Sequence, residues 1–244
     1  MIEWKCLKCK KGLDEDNLYI VEEINYEPMG DSDVLTKRAY RLDVAPKVLL
    51  NELLYSYHYL HRKSGGYKSG ANIGLWHDNN LVGACVFTGF PVPEIVQGAF
   101  GLDRNDQVGF WELSRLVLHP KHQSEQHNLA SWFVSRAIKQ LRAKESVRAI
   151  LSYADADYHD GTIYAACNFR YFGLTAPKKD FWIVDDQLDI FSGKRMIKHQ
   201  RGVIKGREGE WKNRSRKHRF LMVYDKRLKV FWKEDKWKKQ DIKK

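Results

Sequence analysis

Residues 110–175 constrain the fold more than any other part of this 244-residue chain. They read FWELSRLVLHP, then KHQSEQHNLASWFVSRAIKQLRAK, then VRAILSYADADYHDGTIYAACNFRYFGLT. The apolar run 112–118, closed by His119 and Pro120, has the length and branching of a buried strand. From Asn128, a candidate N-cap, Leu129, Phe133, Ala137 and Leu141 recur at helical spacing. A second apolar strand, 148–153, opens at its C-terminal end on Asp155, Asp157, His159 and Asp160. Gly161 and Thr162 then start a short helix, IYAACNF, and RYFGLT returns as a strand. Ligands of open α/β sheets bind at the C-terminal ends of such strands, so this acidic, aromatic mouth is the expected active site.

The flanking sequence supports one elaborated domain. Residues 1–32 read as an irregular cap with a strand at 18–23, and 38–44 reads as extended. Pro46 opens a helix, VLLNELLYSYHYLH, that the glycine-rich SGGYKSGA ends. NIGLWHD and LVGACVFTG form a hairpin around Asn79 and Asn80. PVPEIVQGAFGLDRNDQ, with two prolines and two glycines, is expected as a loop over the sheet.

Charge separates the two parts of the chain. Residues 194–244 hold 20 lysines and arginines against 6 acids, whereas residues 1–193 hold 22 against 25. Within the basic part, KNRSRKHRF and KRLKVFWKEDKWKK interleave cations with Trp211, Phe220, Phe231, Trp232 and Trp237. Cations bind phosphates through counterion release and rings offer faces to unstacked bases, so nucleic-acid contact through Lys212, Arg214, Arg216, Lys217 and Arg219 is expected over a merely solvated tail. No apolar run is long enough to span a bilayer. The start, MIEWKCLKCKK, has no apolar h-region, so a cytoplasmic location is expected. Cys6 and Cys9 form a single CxxC, a weak zinc signal without two further ligands. Cys85 and Cys167 sit in apolar surroundings and read as core residues.

Taken together, HYLHR at 58–62, FWELSRLVL at 110–118, ASWFVSRAIKQL at 130–141, SYADADYHDGTIY at 152–164 and the aromatic-glycine turn after it resemble the GNAT acyltransferase superfamily. Within it, the closer resemblance is to the Mom proteins, typified by phage Mu, which modify adenine in DNA. The resemblance covers about residues 45–180. It implies an α/β (α+β) fold, a GNAT-like central mixed, mostly antiparallel sheet flanked by helices. The domain reading is an N-terminal cap over 1–40, a catalytic core over 41–193 and a basic extension over 194–244.

The resemblance also implies an activity: transfer of a carbamoylmethyl-type group to the N6 amine of adenine in double-stranded DNA, protecting phage DNA from restriction in the host cytoplasm. It further implies an iron site with His58, Tyr59, Asp155 and Tyr164 as matching candidates, residue types that suit a transition metal. Each has a plainer reading: His58 and Tyr59 as a helix end, Asp155 as a cap or a general base, and Tyr164 as a core aromatic. Arg115 and Ser131 join Asp155 and Tyr164 as catalytic candidates. Arg115 either pairs with Glu112 or binds the donor, and Ser114 faces away from it if the strand is regular. Donor contacts are expected from Leu116, Leu118, Asn128, Ala130 and Ser131, with Ser135 an ordinary polar helix position. Acetyltransferases of the superfamily grip the coenzyme A pyrophosphate with a glycine-containing loop at a helix N-terminus. The corresponding HQSEQHNLAS has no glycine, so an acyl-CoA or other donor would be held differently.

Chemistry on a base favours its extrusion, with Trp111, Tyr153 and Tyr158 as candidates to stack on it. A homodimer is compatible with this reading. Two alternatives compete: an N-acyltransferase acting on a protein, tRNA or small amine, and a non-enzymatic nucleic-acid-binding protein.

Overall fold

The computed structural model describes residues 39–59, 70–90, 92–185, 195–199 and 209–239. The expected N-terminal cap, its strand at 18–23, Cys6 and Cys9 lie outside the described residues. In chain order the elements are β1 (Arg41–Val44), α1 (Lys47–Tyr57), β2 (Ala71–His77), β3 (Asn80–Gly89), α2 (Pro93–Phe100), β4 (Phe110–Leu118), α3 (Pro120–Glu125) and α4 (Leu129–Lys144). Then follow β5 (Ala149–Asp155), α5 (Thr162–Ala166), β6 (Arg170–Leu174), β7 (Lys178–Asp185), β8 (Arg195–His199), β9 (Gly209–Arg214) and β10 (Lys217–Val223). No described helix is long and apolar enough to cross a membrane.

Seven strands form the central sheet in the order β1-β2-β3-β4-β5-β10-β6, and β8-β7-β9 form a second, three-stranded sheet. Every pairing in the central sheet is antiparallel except β4 with β5. The expected class, a mixed and mostly antiparallel sheet flanked by helices, is the one the chain adopts. The β2–β3 turn is centred on Asp78 (φ 47°) and Asn79 (φ 65°), one residue earlier than the sequence reading placed it. Two successive positive φ values match the twist of the flanking strands.

Helices cover both faces of the sheet. On one, Phe133, Val134, Ala137, Ile138 and Leu141 of α4 pack with Ile73, Leu113, Ile150 and Phe220 from the strands. On the other, Leu50, Leu53 and Leu54 of α1 meet Ala84, Val86 and Val117, while Val96, Ala99 and Phe100 of α2 meet Phe110, Ala149, Leu151 and Leu221. Cys85 and Cys167 are buried free thiols, as their surroundings suggested.

Three local expectations need correction. Residues 93–100 are helical: Pro93 occupies the first turn, where it lacks no needed N–H, and Gly101 ends the helix at φ 69°. Residues 120–125 also form a short helix, capped by the His119 ring accepting from the Lys121 N–H at 3.2 Å. Asn128 precedes α4 in the left-handed region at φ 59° and makes no side-chain cap hydrogen bond.

The basic C-terminal part was expected to extend from the core, yet it supplies β10, which lies between β5 and β6. The stretch KHRFLMV alternates: Phe220 is fully buried on the α4 face and Leu221 on the α2 face. Gly161, at φ 82°, abuts Phe220 so closely that a Cβ would collide with the ring. Gly161→Ala is therefore expected to lower the free energy of unfolding by about 3 kcal/mol. Gly89→Ala, where a Cβ would meet nothing within 4 Å, is expected to be near neutral in the same urea titration.

Candidate functional site

The parallel pairing of β4 with β5 runs only from Phe110 opposite Ala149 to Leu113 opposite Ser152. At that point the Ser152 hydroxyl donates to the Leu113 carbonyl at 2.9 Å. Beyond it, β4 continues along β3 to Leu118, and β5 continues along β10 to Asp155. The centre of the sheet is thus joined at its base and unjoined toward the C-terminal ends of both strands. Among the described residues, that leaves backbone groups of β4 without a strand partner on this side, the arrangement an extended ligand can use.

A bulge in β4 decides which side chains face this region. Val86 pairs with Arg115 and Phe87 with Leu113, so Ser114 is the extra residue, and its hydroxyl donates to the Val86 carbonyl at 3.1 Å. In a regular strand Glu112 and Arg115 would point to opposite faces; the bulge brings both to the face carrying α1 and α2. Tyr153, Asp155, Lys217 and Arg219 share that face by register. A polar strip therefore runs between the α1 and α2 cores.

Glu112 is the most perturbed acid in this strip. Burial pushes its carboxyl up to about 7, against the opposing pull of Arg115. Sequence reasoning treated Glu112 only as a partner for Arg115; the missing signal was its desolvation between two helices. Tyr153, beside it, is raised to about 12 by burial and by the charge of Glu112.

Asp155 behaves in the opposite way. It is only 4% exposed. Its carboxylate accepts from the Lys217 ammonium, the Ser215 hydroxyl and, at 3.2 Å, the Asp157 N–H. Burial alone would raise its pKa, but these hydrogen bonds and the Lys217 charge hold it below the usual carboxylate range. A carboxylate so fully engaged is a poor general base. It organises the mouth instead, since the Tyr158 and His159 N–H groups both donate to its main-chain carbonyl at 2.9 Å.

Above Asp155 an aromatic group gathers around Tyr59. Its ring lies 4.5 Å from His58, 4.7 Å from Tyr158 and 5.3 Å from His159, centroid to centroid. Burial, with Asp155 nearby, raises the Tyr59 hydroxyl to about 12. Tyr158 is 40% exposed. Tyr164 is buried, hydrogen-bonded to Ser152, and raised to about 12 by burial.

Two of the four expected iron ligands are thus already engaged. Asp155 already holds an ammonium where a cation would sit, and Tyr164 is tied to Ser152. Among the described residues no group of three or more His, Cys, Asp or Glu is arranged to hold a metal ion. With Asp155 and Tyr164 so bonded, the set His58, Tyr59, Asp155 and Tyr164 does not fit iron in this arrangement.

The remaining expected residues scatter. Ser131, half-buried in the first turn of α4, donates to the Asn128 carbonyl at 3.2 Å, and Ala130 is buried beside it. Leu116 and Leu118 pack into the α4-side core. Trp111 lies at the other end of β4, donating to the Ser146 carbonyl at 2.9 Å, so it is not brought to the mouth. Of the expected DNA contacts, Lys212 pairs with Glu210 at 2.8 Å and Arg214 lies 4.0 Å from Asp180. Arg216 donates to the Thr175 carbonyl at 2.7 Å, and Arg219 donates to the Phe172 carbonyl at 2.6 Å.

The model of the Mom protein family matches residues 39–242. No curated protein sequence matches the chain. Among solved structures the chain is similar to an N-acetyltransferase from Staphylococcus aureus Mu50, 11% identical with a TM-score of 0.41, covering 75% of this chain and 98% of that one. It is also similar to a polyamine N-acetyltransferase from Drosophila melanogaster, 10% identical with a TM-score of 0.45, covering 76% and 100%. A third is the ribosomal-protein-S18-alanine N-acetyltransferase from Escherichia coli, 7% identical with a TM-score of 0.45, covering 75% and 93%.

The clamp on Asp155 can be tested by stability. Lys217→Met leaves a buried carboxylate without its cation and is expected to cost about 3 kcal/mol, whereas Asp155→Asn with Lys217→Met costs less. The folded pKa of Asp155 is depressed, so its contribution is present above the unfolded value and lost as pH falls through the folded one. Urea unfolding from pH 7 down should accordingly show a shallower loss below about pH 4 in Asp155→Asn than in the unmodified protein.

Proposed function

Because the chain belongs to the Mom protein family, we propose that it transfers a carbamoylmethyl-type group to the N6 amine of adenine in DNA, with Glu112 as the proton acceptor. The observation that carries this reading is a desolvated Glu112 placed opposite Leu151, one residue before the point where β4 and β5 part. A carboxyl raised to about 7 is half ionised near neutral pH, where it can take a proton and release it again.

The adenine N6 lone pair is delocalised into the ring, so the amine is a weak nucleophile. In the proposed step that lone pair forms the bond to the donor's CH2 carbon. The bond from this carbon to the leaving group breaks, its electron pair departs with the leaving group, and the N6 proton passes to Glu112. Arg115 stands on the same face and offers a cation for the donor's carbonyl or leaving group. The donor would lie along the unjoined edge of β4, with the first turn of α4 at Ser131 offering backbone N–H groups to a phosphate. The exposed ring of Tyr158, backed by Tyr59, supplies a surface on which an extruded adenine can stack.

Mass spectrometry of nucleosides from cells expressing the protein tests this reading, and unmodified deoxyadenosine alongside verified expression would sink it. With purified protein, the rate should rise with pH through about 7. Glu112→Gln is expected to lose roughly 10²- to 10⁴-fold in rate and to flatten that profile. A raised carboxyl makes the folded state less stable as pH rises through its pKa. Glu112→Gln should therefore be more stable than the unmodified protein at pH values above about 7 while being less active, a combination that a merely structural role would not give.

A further inference from the structure

After β10 the chain crosses the molecule without regular secondary structure, and its main chain and side chains mark the route. The Tyr224 N–H donates to the Arg148 carbonyl at 2.8 Å, at the start of β5. The Phe231 N–H donates to Ala99 at the end of α2 at 2.8 Å, and the Asp235 N–H donates to Tyr171 of β6 at 3.0 Å. Finally the Trp237 indole N–H donates at 3.0 Å to the carbonyl of Asp160, a residue of the mouth loop. Residues 225–239 thus form a strap from the base of β5 to the rim of the candidate site.

The strap sorts its side chains by chemistry. Leu228, Val230, Trp232 and Trp237 turn inward and pack against the cores. Lys226, Lys229, Lys233, Lys236, Lys238 and Lys239 are all exposed. None of these six is in an ion pair with another described residue. Two of the strap's acids are already neutralised: Asp225 by Arg148 and Arg227, and Glu234 by Arg170. Of the five residues named as expected DNA contacts, Arg216, Lys217 and Arg219 behave differently, since they are consumed by carbonyls and Asp155.

Resting on the DNA-modifying reading above, we propose that this strap is a rail for the DNA sugar-phosphate backbone, leading the strand to the mouth where Trp237 meets Asp160. Its tryptophans face inward and its exposed Phe231 ring lies under the Lys229 ammonium, so the rail binds chiefly phosphate and carries little sequence preference. The same burial disfavours a membrane partner, because no row of apolar side chains is left to insert.

The test uses the full chain and fluorescence anisotropy with two duplex oligonucleotides of unrelated sequence over a range of KCl. Replacing Lys233, Lys236, Lys238 and Lys239 together with Gln should weaken both duplexes alike and reduce the slope of log affinity against log salt by about 3.6, at about 0.9 per lost phosphate contact. Lys226→Gln with Lys229→Gln should give a smaller reduction in the same direction. Lys139→Gln with Lys144→Gln, exposed on α4, should leave the slope unchanged. Glu112→Gln should bind as the unmodified protein does while failing to make product. An unchanged slope in the four-lysine variant overturns the rail, as does binding to phosphatidylserine vesicles that competes equally with DNA. Modified deoxyadenosine in cells expressing the four-lysine variant at unmodified levels overturns it with the function intact. A reduced slope without any modified nucleoside from the unmodified protein supports the rail and overturns the function.

Discussion

The placement of β10 between β5 and β6 is the constraint on which the central site depends. It joins residues 217–223 to strands whose paired residues precede them by 44 to 74 positions. Because Lys217 registers with Asp155, the strand sets its first cation against the carboxylate at the mouth. Because Phe220 fills the space beside Gly161, it also fixes the turn into α5. The main chain that leaves β10 must then find its way across α2 and β6, and this produces the strap.

Two carboxylates on neighbouring strands illustrate how packing divides chemistry that sequence leaves equal. Asp155 has an ammonium, a hydroxyl and an N–H directed at it, so its charge is held. Glu112 lies between two helix-covered cores, where burial outweighs the nearby Arg115. One is suited to holding structure and the other to moving a proton.

The strands and α4 were legible because their apolar residues repeat at 2 and 3.6 positions, and burial rewards that repetition. The hairpin was legible from its asparagines, to within one residue. Helix α2 was hidden by Pro93, Gly98 and Gly101, which in fact sit at its start, where no Cβ is needed, and just past its end. Strand β10 was hidden by its cations: KHRFLMV looks like part of a basic tail until its alternation is set against partners far away in sequence. Glu112 was hidden for a related reason. A carboxyl's desolvation belongs to its neighbours, and the bulge at Ser114 that brings Arg115 to its face has no local sequence mark.

The late position of β10 bears on how the protein is made. Until Val223 has emerged from the ribosome, β5 and β6 each present an unpaired edge toward the gap that β10 will fill, and the inner faces of Leu151, Phe172 and Tyr171 lack their partner. Such edges invite pairing with other chains. The sheet therefore closes only after residues 217–223 have been made, and the mouth, whose aspartate needs Lys217, is completed in the same event. A nascent chain of this kind holds Glu112 and Asp155 on a half-built sheet until β10 has been made.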